Sequence, residues 1–95
     1  MPAYIIVDLE ITDPALFDQY RAAVPATISA YGGKYLVRGG AFEALEGNWQ
    51  PKRVIVLQFD NMARLKEWYG SPDYAPLRSL RAKCAKANVI AVEGL

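Results

Sequence analysis

Trp68, Tyr69, Ser71 and Tyr74 crowd one short stretch, and Arg38, Asn48 and Trp49 are the other side chains suited to binding a small molecule. Aromatic rings can stack on a flat ligand while hydroxyl groups fix its orientation. The structural alternative makes Trp68 and Tyr74 core anchors and Ser71 a helix cap. Both readings can hold, because anchors can also line a pocket. Arg38 stands among apolar strand neighbours, where it either takes a ligand carboxylate or phenolate or forms an ion pair with Asp8, Glu10 or Glu93. Trp49, beside Asn48 in a loop, either closes a pocket, touches a partner subunit or packs over the hairpin.

The chain has 0 histidines and 1 cysteine. That removes Ser-His-Asp and Cys-His mechanisms, histidine metal sites and histidine haem ligation. It also removes an internal disulfide and multi-cysteine metal sites. No metal or organic cofactor is therefore expected, and any chemistry must use Tyr, Trp, Arg, Asn, Asp or Glu, or come from the substrate. Cys84 reads as a small apolar residue. Arg78, Arg81, Lys83 and Lys86 read as a solvated helix face, with anion binding as the alternative. Gly32-Gly33 and Gly39-Gly40 fit neither the dinucleotide nor the Walker spacing.

These residues need elements to position them. Ala3 to Ile11 alternates, with Ile5, Val7, Leu9 and Ile11 on one face and Tyr4, Ile6, Asp8 and Glu10 on the other. Asp13-Pro14 starts a helix whose stripe is Phe17, Tyr20, Val24, Ile28 and Tyr31. Pro25 should kink it, and Gly32-Gly33 ends it. A second strand runs from Lys34 to Gly39 and extends through Ala41 to Leu45. A hairpin loop over Glu46 to Pro51 leads to a strand from Lys52 to Phe59. Asp60-Asn61 caps a short helix that stops at Gly70, Ser71-Pro72 starts another, and Asn88 to Glu93 is the last strand.

The order, strand–helix–strand–strand–helix–strand, is the split βαβ arrangement. The expected class is α+β, a ferredoxin-like βαββαβ with a four-stranded antiparallel-type sheet and helices on one face. Right-handed crossovers put the first and third strands in the centre. The uncovered face is too apolar for water, and a second copy is its simplest cover. A homodimer is therefore expected.

At 95 residues the chain is expected to be one domain, 1–95. Its net charge of +1 makes no case for nucleic acid. The start has no basic run before an apolar stretch, and no apolar run is long enough for a membrane span. The expected location is cytoplasmic, with no membrane and no nucleic-acid partner.

Four stretches resemble a known family. They are Asp13-Pro14 through Phe17 and Tyr20, Gly32 to Gly40 (GGKYLVRGG), Trp68 to Arg78 (WYGSPDYAPLR), and Ala87-Asn88 to Gly94. Together they look like a widespread bacterial domain of unknown function in the dimeric α+β barrel superfamily. The resemblance implies a ferredoxin-like subunit and a dimer whose two sheets face each other. Relatives in the superfamily include cofactor-free quinol monooxygenases, haem-degrading enzymes, chlorite dismutases, muconolactone isomerases and ligand-sensing modules. The haem branches rely on a histidine that this chain lacks. The quinol monooxygenases use Trp, Asn, Tyr and Arg in an apolar pocket between helices and sheet. The resulting expectation is a cofactor-free monooxygenase or isomerase acting on small aromatic or lactone compounds. The alternatives are a non-catalytic small-molecule-binding or stress-related protein, and a dimerising scaffold.

Overall fold

Alternation along β1 (Ala3–Ile11) decides how the sheet faces. Ala3, Ile5, Val7 and Leu9 are buried, while Tyr4, Ile6 and Asp8 between them are only half-buried. In the computed structural model, which describes residues 1–95, the other elements follow from this split. They are α1 (Pro14–Ala30), β2 (Lys34–Arg38), β3 (Val54–Phe59), α2 (Met62–Tyr69), α3 (Ala75–Cys84) and β4 (Ala85–Glu93). The sheet is antiparallel with order β2-β3-β1-β4, so the first and third strands are central as expected. This is the ferredoxin-like arrangement, with the second helical segment in two pieces.

Helix ends obey local chemistry. Asp13 accepts a hydrogen bond from the Leu16 amide at 3.1 Å, and Asn61 accepts one from Arg64 at 2.8 Å. Gly32, at φ +76°, takes the left-handed conformation that lets the Gly33 amide return to the Ile28 carbonyl. The helix α1 continues through Pro25 to Ala30 without interruption.

Four boundaries differ from expectation. The stretch Ala41–Leu45 does not extend β2. Gly39 turns the chain out at φ +69° after bonding Val54, and β3 begins only there, so no partner backbone is left for it. For the same reason Lys52 and Arg53 precede β3 rather than belong to it. The last strand starts at Ala85, not Asn88, because Leu9 to Ile11 of β1 supply partners for Ala85 to Ala87. Finally, α3 starts at Ala75: the Ser71 hydroxyl accepts from the Tyr74 amide at 3.1 Å and closes a separate turn first.

The molecule measures 35 × 33 × 16 Å, thick enough for one helical layer on one sheet. The core fills the space between them: Ile5, Val7, Leu9, Leu57 and Phe59 from the sheet meet Phe17, Tyr20, Val24, Ile28, Leu65, Trp68 and Tyr74. On the other face Val37, Val56, Ile6 and Ile90 align across all four strands with no helix over them.

Candidate functional site

Helix periodicity brings the aromatic residues together. Tyr20 and Val24 lie one turn apart on the buried stripe of α1, and Trp68 ends the buried stripe of α2. The Ser71 turn then folds Tyr74 back beneath Trp68. Their rings lie 4.1 Å apart, and Phe59 stacks against the other side of Trp68 at 5.5 Å. The Trp68 indole N–H donates to Thr27 Oγ1 at 3.1 Å, and the Ser71 hydroxyl donates to the Trp68 carbonyl at 2.8 Å. Trp68, Ser71 and Tyr74 are thus core anchors whose polar atoms are internally bonded.

A narrow cavity remains between this layer and the sheet. Its volume is about 40 Å³, and its lining includes Ile5, Val7, Tyr20, Tyr35, Trp68, Tyr74 and Arg81. That holds two or three waters and falls well short of the ~150 Å³ that takes a benzene ring. Its polar groups gather on the helix side. The Tyr20 and Tyr74 hydroxyls are 2.9 Å apart, and Arg81 Nη1 donates to the Tyr74 oxygen at 3.2 Å. Burial first, and then the neighbouring Tyr74, pushes the Tyr20 hydroxyl far above its ordinary value. Burial likewise raises Tyr74 and Tyr35. All three stay protonated at neutral pH, and in the Tyr20–Tyr74 bond either hydroxyl can be the donor. No carboxylate lies within ion-pair distance of the half-buried Arg81. No Asp or Glu lines the cavity.

Sequence reasoning missed Tyr20, Tyr35 and Arg81 as lining groups. Arg81 belongs to a run read as a solvated face, and that reading fails for half of it. Arg78 lies over the Tyr69 ring at 4.9 Å and donates to the Tyr69 carbonyl at 3.4 Å, while Arg81 turns inward. The available signal was the spacing: Tyr74 and Arg81 are two helical turns apart on one side of the helix. Lys83 and Lys86 are exposed as expected.

The remaining candidates lie elsewhere. Arg38 points to the helical layer, with its guanidinium over the Tyr35 ring at 4.6 Å and Nη2 3.5 Å from the Arg21 carbonyl. It pairs with none of Asp8, Glu10 and Glu93. The loop residue Asn48 is exposed and outside the cavity. Trp49 lies on the opposite face of the sheet, donating to Asp8 Oδ2 at 3.1 Å. Asp8 also accepts from the Lys52 amide at 2.9 Å, which pulls its carboxyl below the usual value. Tyr69 lines the cavity half-buried, and Cys84 is buried with its thiol pushed up by burial. No cluster of three or more His, Cys, Asp or Glu could hold a metal, and no helix is long and apolar enough to cross a membrane.

Fold and site together define a ferredoxin-like α+β protein with an apolar, tyrosine- and arginine-marked cavity beneath its helices. The chain belongs to the family described as a domain of unknown function (DUF1330), whose profile matches residues 2–95. No curated protein matches it in sequence. Among solved structures it is similar to the RPA0582 protein of unknown function from Rhodopseudomonas palustris, with TM-score 0.80, 15% identity, and coverage of 99% of this chain and 82% of that one. It is also similar to a dimeric ferredoxin-like protein of unknown function from Jannaschia sp. CCS1, with TM-score 0.72, 14% identity, and coverage of 99% and 100%. A third is SnoaB, a cofactor-independent oxygenase from Streptomyces nogalater, with TM-score 0.68, 10% identity, and coverage of 99% and 93%. At such identities the likeness is one of fold.

Proposed function

We propose that this protein binds a small, largely apolar molecule carrying an acidic oxygen, a phenol or enol, in the cavity beneath the helices. The observation that carries this reading is Arg81. It is a half-buried cation without a carboxylate partner, bonded to a buried pair of tyrosine hydroxyls at an otherwise apolar wall. A ligand oxyanion there would gain charge-assisted bonds in a poorly solvated site. At about 40 Å³ the cavity is smaller than a ring, so binding one requires its lining side chains to move apart.

The reaction that suits such a site is cofactor-free oxygenation. The bound anion supplies the electrons. In a phenol whose keto tautomer carries a methylene, that methylene becomes a carbonyl, with one oxygen atom of O₂ entering the product and the other leaving as water with the two displaced hydrogens. Arg81 with its tyrosines stabilises the anion, and the apolar wall excludes bulk water. The fold shared with SnoaB agrees with this reading. The absence of any lining carboxylate favours a second reading, ligand binding without turnover. Oxygen uptake with a panel of quinols, beside calorimetric titration of the same compounds, separates them. Uptake that falls at least about tenfold in Arg81→Met supports oxygenation. Binding without uptake leaves the second reading, and neither overturns both.

We further propose that two copies pair through the open sheet face. The Val37, Val56, Ile6 and Ile90 row is apolar and uncovered, with Ile90 58% exposed. The dimeric Jannaschia protein of the same fold is consistent with this. Sedimentation at low micromolar concentration tests it, and a stable 10.5 kDa monomer overturns it.

A further inference from the structure

A second, smaller cleft opens between α1 and the β2–β3 edge. Arg21, Arg38 and Arg53 line it together with Phe17, Tyr20 and Tyr35. Tyr20, Val24, Tyr35 and Ile55 line both this cleft and the apolar cavity, so the two adjoin across these side chains, and we take the cleft as the cavity's mouth. No acidic residue lines it. Arg21 is paired with Asp18, but neither Arg38 nor Arg53 has a carboxylate within ion-pair distance.

Arg53 is the more unusual of the two. Its side chain makes no hydrogen bond, and its Nε is buried without a partner. A buried donor left unbonded is rare in a settled core and calls for an explanation. The guanidinium is held in place by packing: it lies against Gly39, where a Cβ would collide with it, and Gly39 at φ +69° is already in a conformation that favours glycine. Arg38 approaches the same cleft from β2, with its guanidinium over the Tyr35 ring at 4.6 Å. Two guanidinium groups without a carboxylate partner thus line one small space, where an anion would offset their mutual repulsion.

We infer that this mouth is a carboxylate clamp, and that the ligand is an aryl or otherwise apolar carboxylic acid. Its carboxylate is held by Arg38 and Arg53 while its body extends past Tyr35 and Tyr20 into the cavity. The space, about 20 Å³, fits an oxygen-sized group rather than a bulky head. The inference rests on the cavity reading for the ligand's body. With it, the ligand becomes a molecule with two acidic ends: a carboxylate at the mouth and a phenolic or enolic oxygen near Arg81.

The test is calorimetric titration with 4-hydroxybenzoate, 4-hydroxyphenylacetate and 4-hydroxycinnamate, each beside its methyl ester. The expected result is that the acids bind about ten- to a hundredfold more tightly than the esters, as charge-assisted bonds to arginine imply. Arg38→Gln and Arg53→Gln should each erase most of that preference. Because Arg53 is packed, Arg53→Lys is run in parallel; it keeps the charge and should keep part of the preference. Thermal melts confirm that each variant is folded. Equal binding of acid and ester overturns the clamp alone, as does a preference that survives both Gln variants. Failure of the whole panel to bind up to millimolar concentration overturns clamp and cavity together. A clamp-dependent preference with no change of ester or acid binding in Arg81→Met upholds the clamp and removes the cavity reading.

Discussion

The two faces of the sheet are drawn from the same strands, residue by alternate residue. On the covered face Ala3, Ile5, Val7, Leu9, Leu57 and Phe59 are buried against the helices. On the open face Ile6 and Val56 are half-buried, while Ile90 and Val92 are 58% and 42% exposed. Polar groups also differ. The covered side admits them as a bonded cluster of Tyr20, Tyr74 and Arg81. The open side carries Asp8, Gln58, Asn88 and Lys86 on the backbone ladder, with Asp8 holding Trp49 and the chain before β3. Period-two alternation thus assigns residues to faces, but the chemistry of each face depends on what lies over it.

The largest test of the contrast is truncation on each side. Phe59 is 1% exposed and stacks on Trp68, so Phe59→Ala should cost about 3–5 kcal/mol in urea unfolding. Ile90→Ala, at an exposed position, should cost well under half of that once the concentration-dependent contribution of association is subtracted. Equal costs would mean that the two faces are not the distinct environments described.

Next in size is a charge on the open face. If a second copy covers the row through Ile6 and Ile90, Ile90→Asp buries an unpaired carboxylate in that interface. It should weaken association by about 2 kcal/mol or more, read by sedimentation equilibrium. A fold that stays intact while the dimer dissociates sharpens the contrast. No change in association would detach this face from the dimer.

The contrast also marks where sequence reasoning reached and where it stopped. Strand order, the two helix caps at Asp13 and Asn61, and the core role of Trp68 and Tyr74 follow from local patterns that the structure keeps. The inward turn of Arg81 does not, because a helical arginine beside lysines has the same pattern whether its head lies in water or under an aromatic ring. The missing strand at Ala41–Leu45 was unreadable for a related reason. Its composition is largely apolar, but pairing needs a partner, and β3 begins too late to supply one. The mouth of the cavity joins Arg38 and Arg53 across a register fixed only by the sheet.

A smaller effect probes the polar cluster on the covered side. Tyr20→Phe keeps the ring and removes the hydroxyl that meets Tyr74. Loss of one buried bond should cost about 0.5–1.5 kcal/mol at neutral pH. The alkaline limb carries the sign. The Tyr20 pKa is raised in the folded state above its ordinary 10.0, so the fold favours the protonated form. That contribution is complete below pH 10.0 and is lost progressively as pH rises above it. Tyr20→Phe should therefore flatten the fall in stability at high pH, measured as the urea midpoint against pH. An unchanged alkaline limb would mean that Tyr20 is not held protonated by its surroundings.

The smallest effect belongs to the open side and runs the other way with pH. Asp8 accepts from the Lys52 amide at 2.9 Å, from the Trp49 indole at 3.1 Å and from the Arg53 amide at 3.5 Å. The Lys52 bond contributes most to holding its carboxyl below the ordinary 3.8. A lowered folded pKa means that the latch is complete above pH 3.8 and is released as pH falls through the folded value. The fluorescence difference between the native protein and Trp49→Phe reports the Trp49 surroundings apart from those of buried Trp68. It should change with a midpoint below pH 3.8. Asp8→Asn keeps an acceptor oxygen but no titrating charge, so the transition should disappear while the fold persists. A midpoint at or above 3.8, or a transition that survives in Asp8→Asn, would assign the acid response to another carboxylate. Because these groups are largely solvated, the latch orders the chain ahead of β3 without contributing to the core. Urea midpoints of Asp8→Asn and the native protein at neutral pH should therefore nearly coincide, in contrast to the loss expected for Tyr20→Phe.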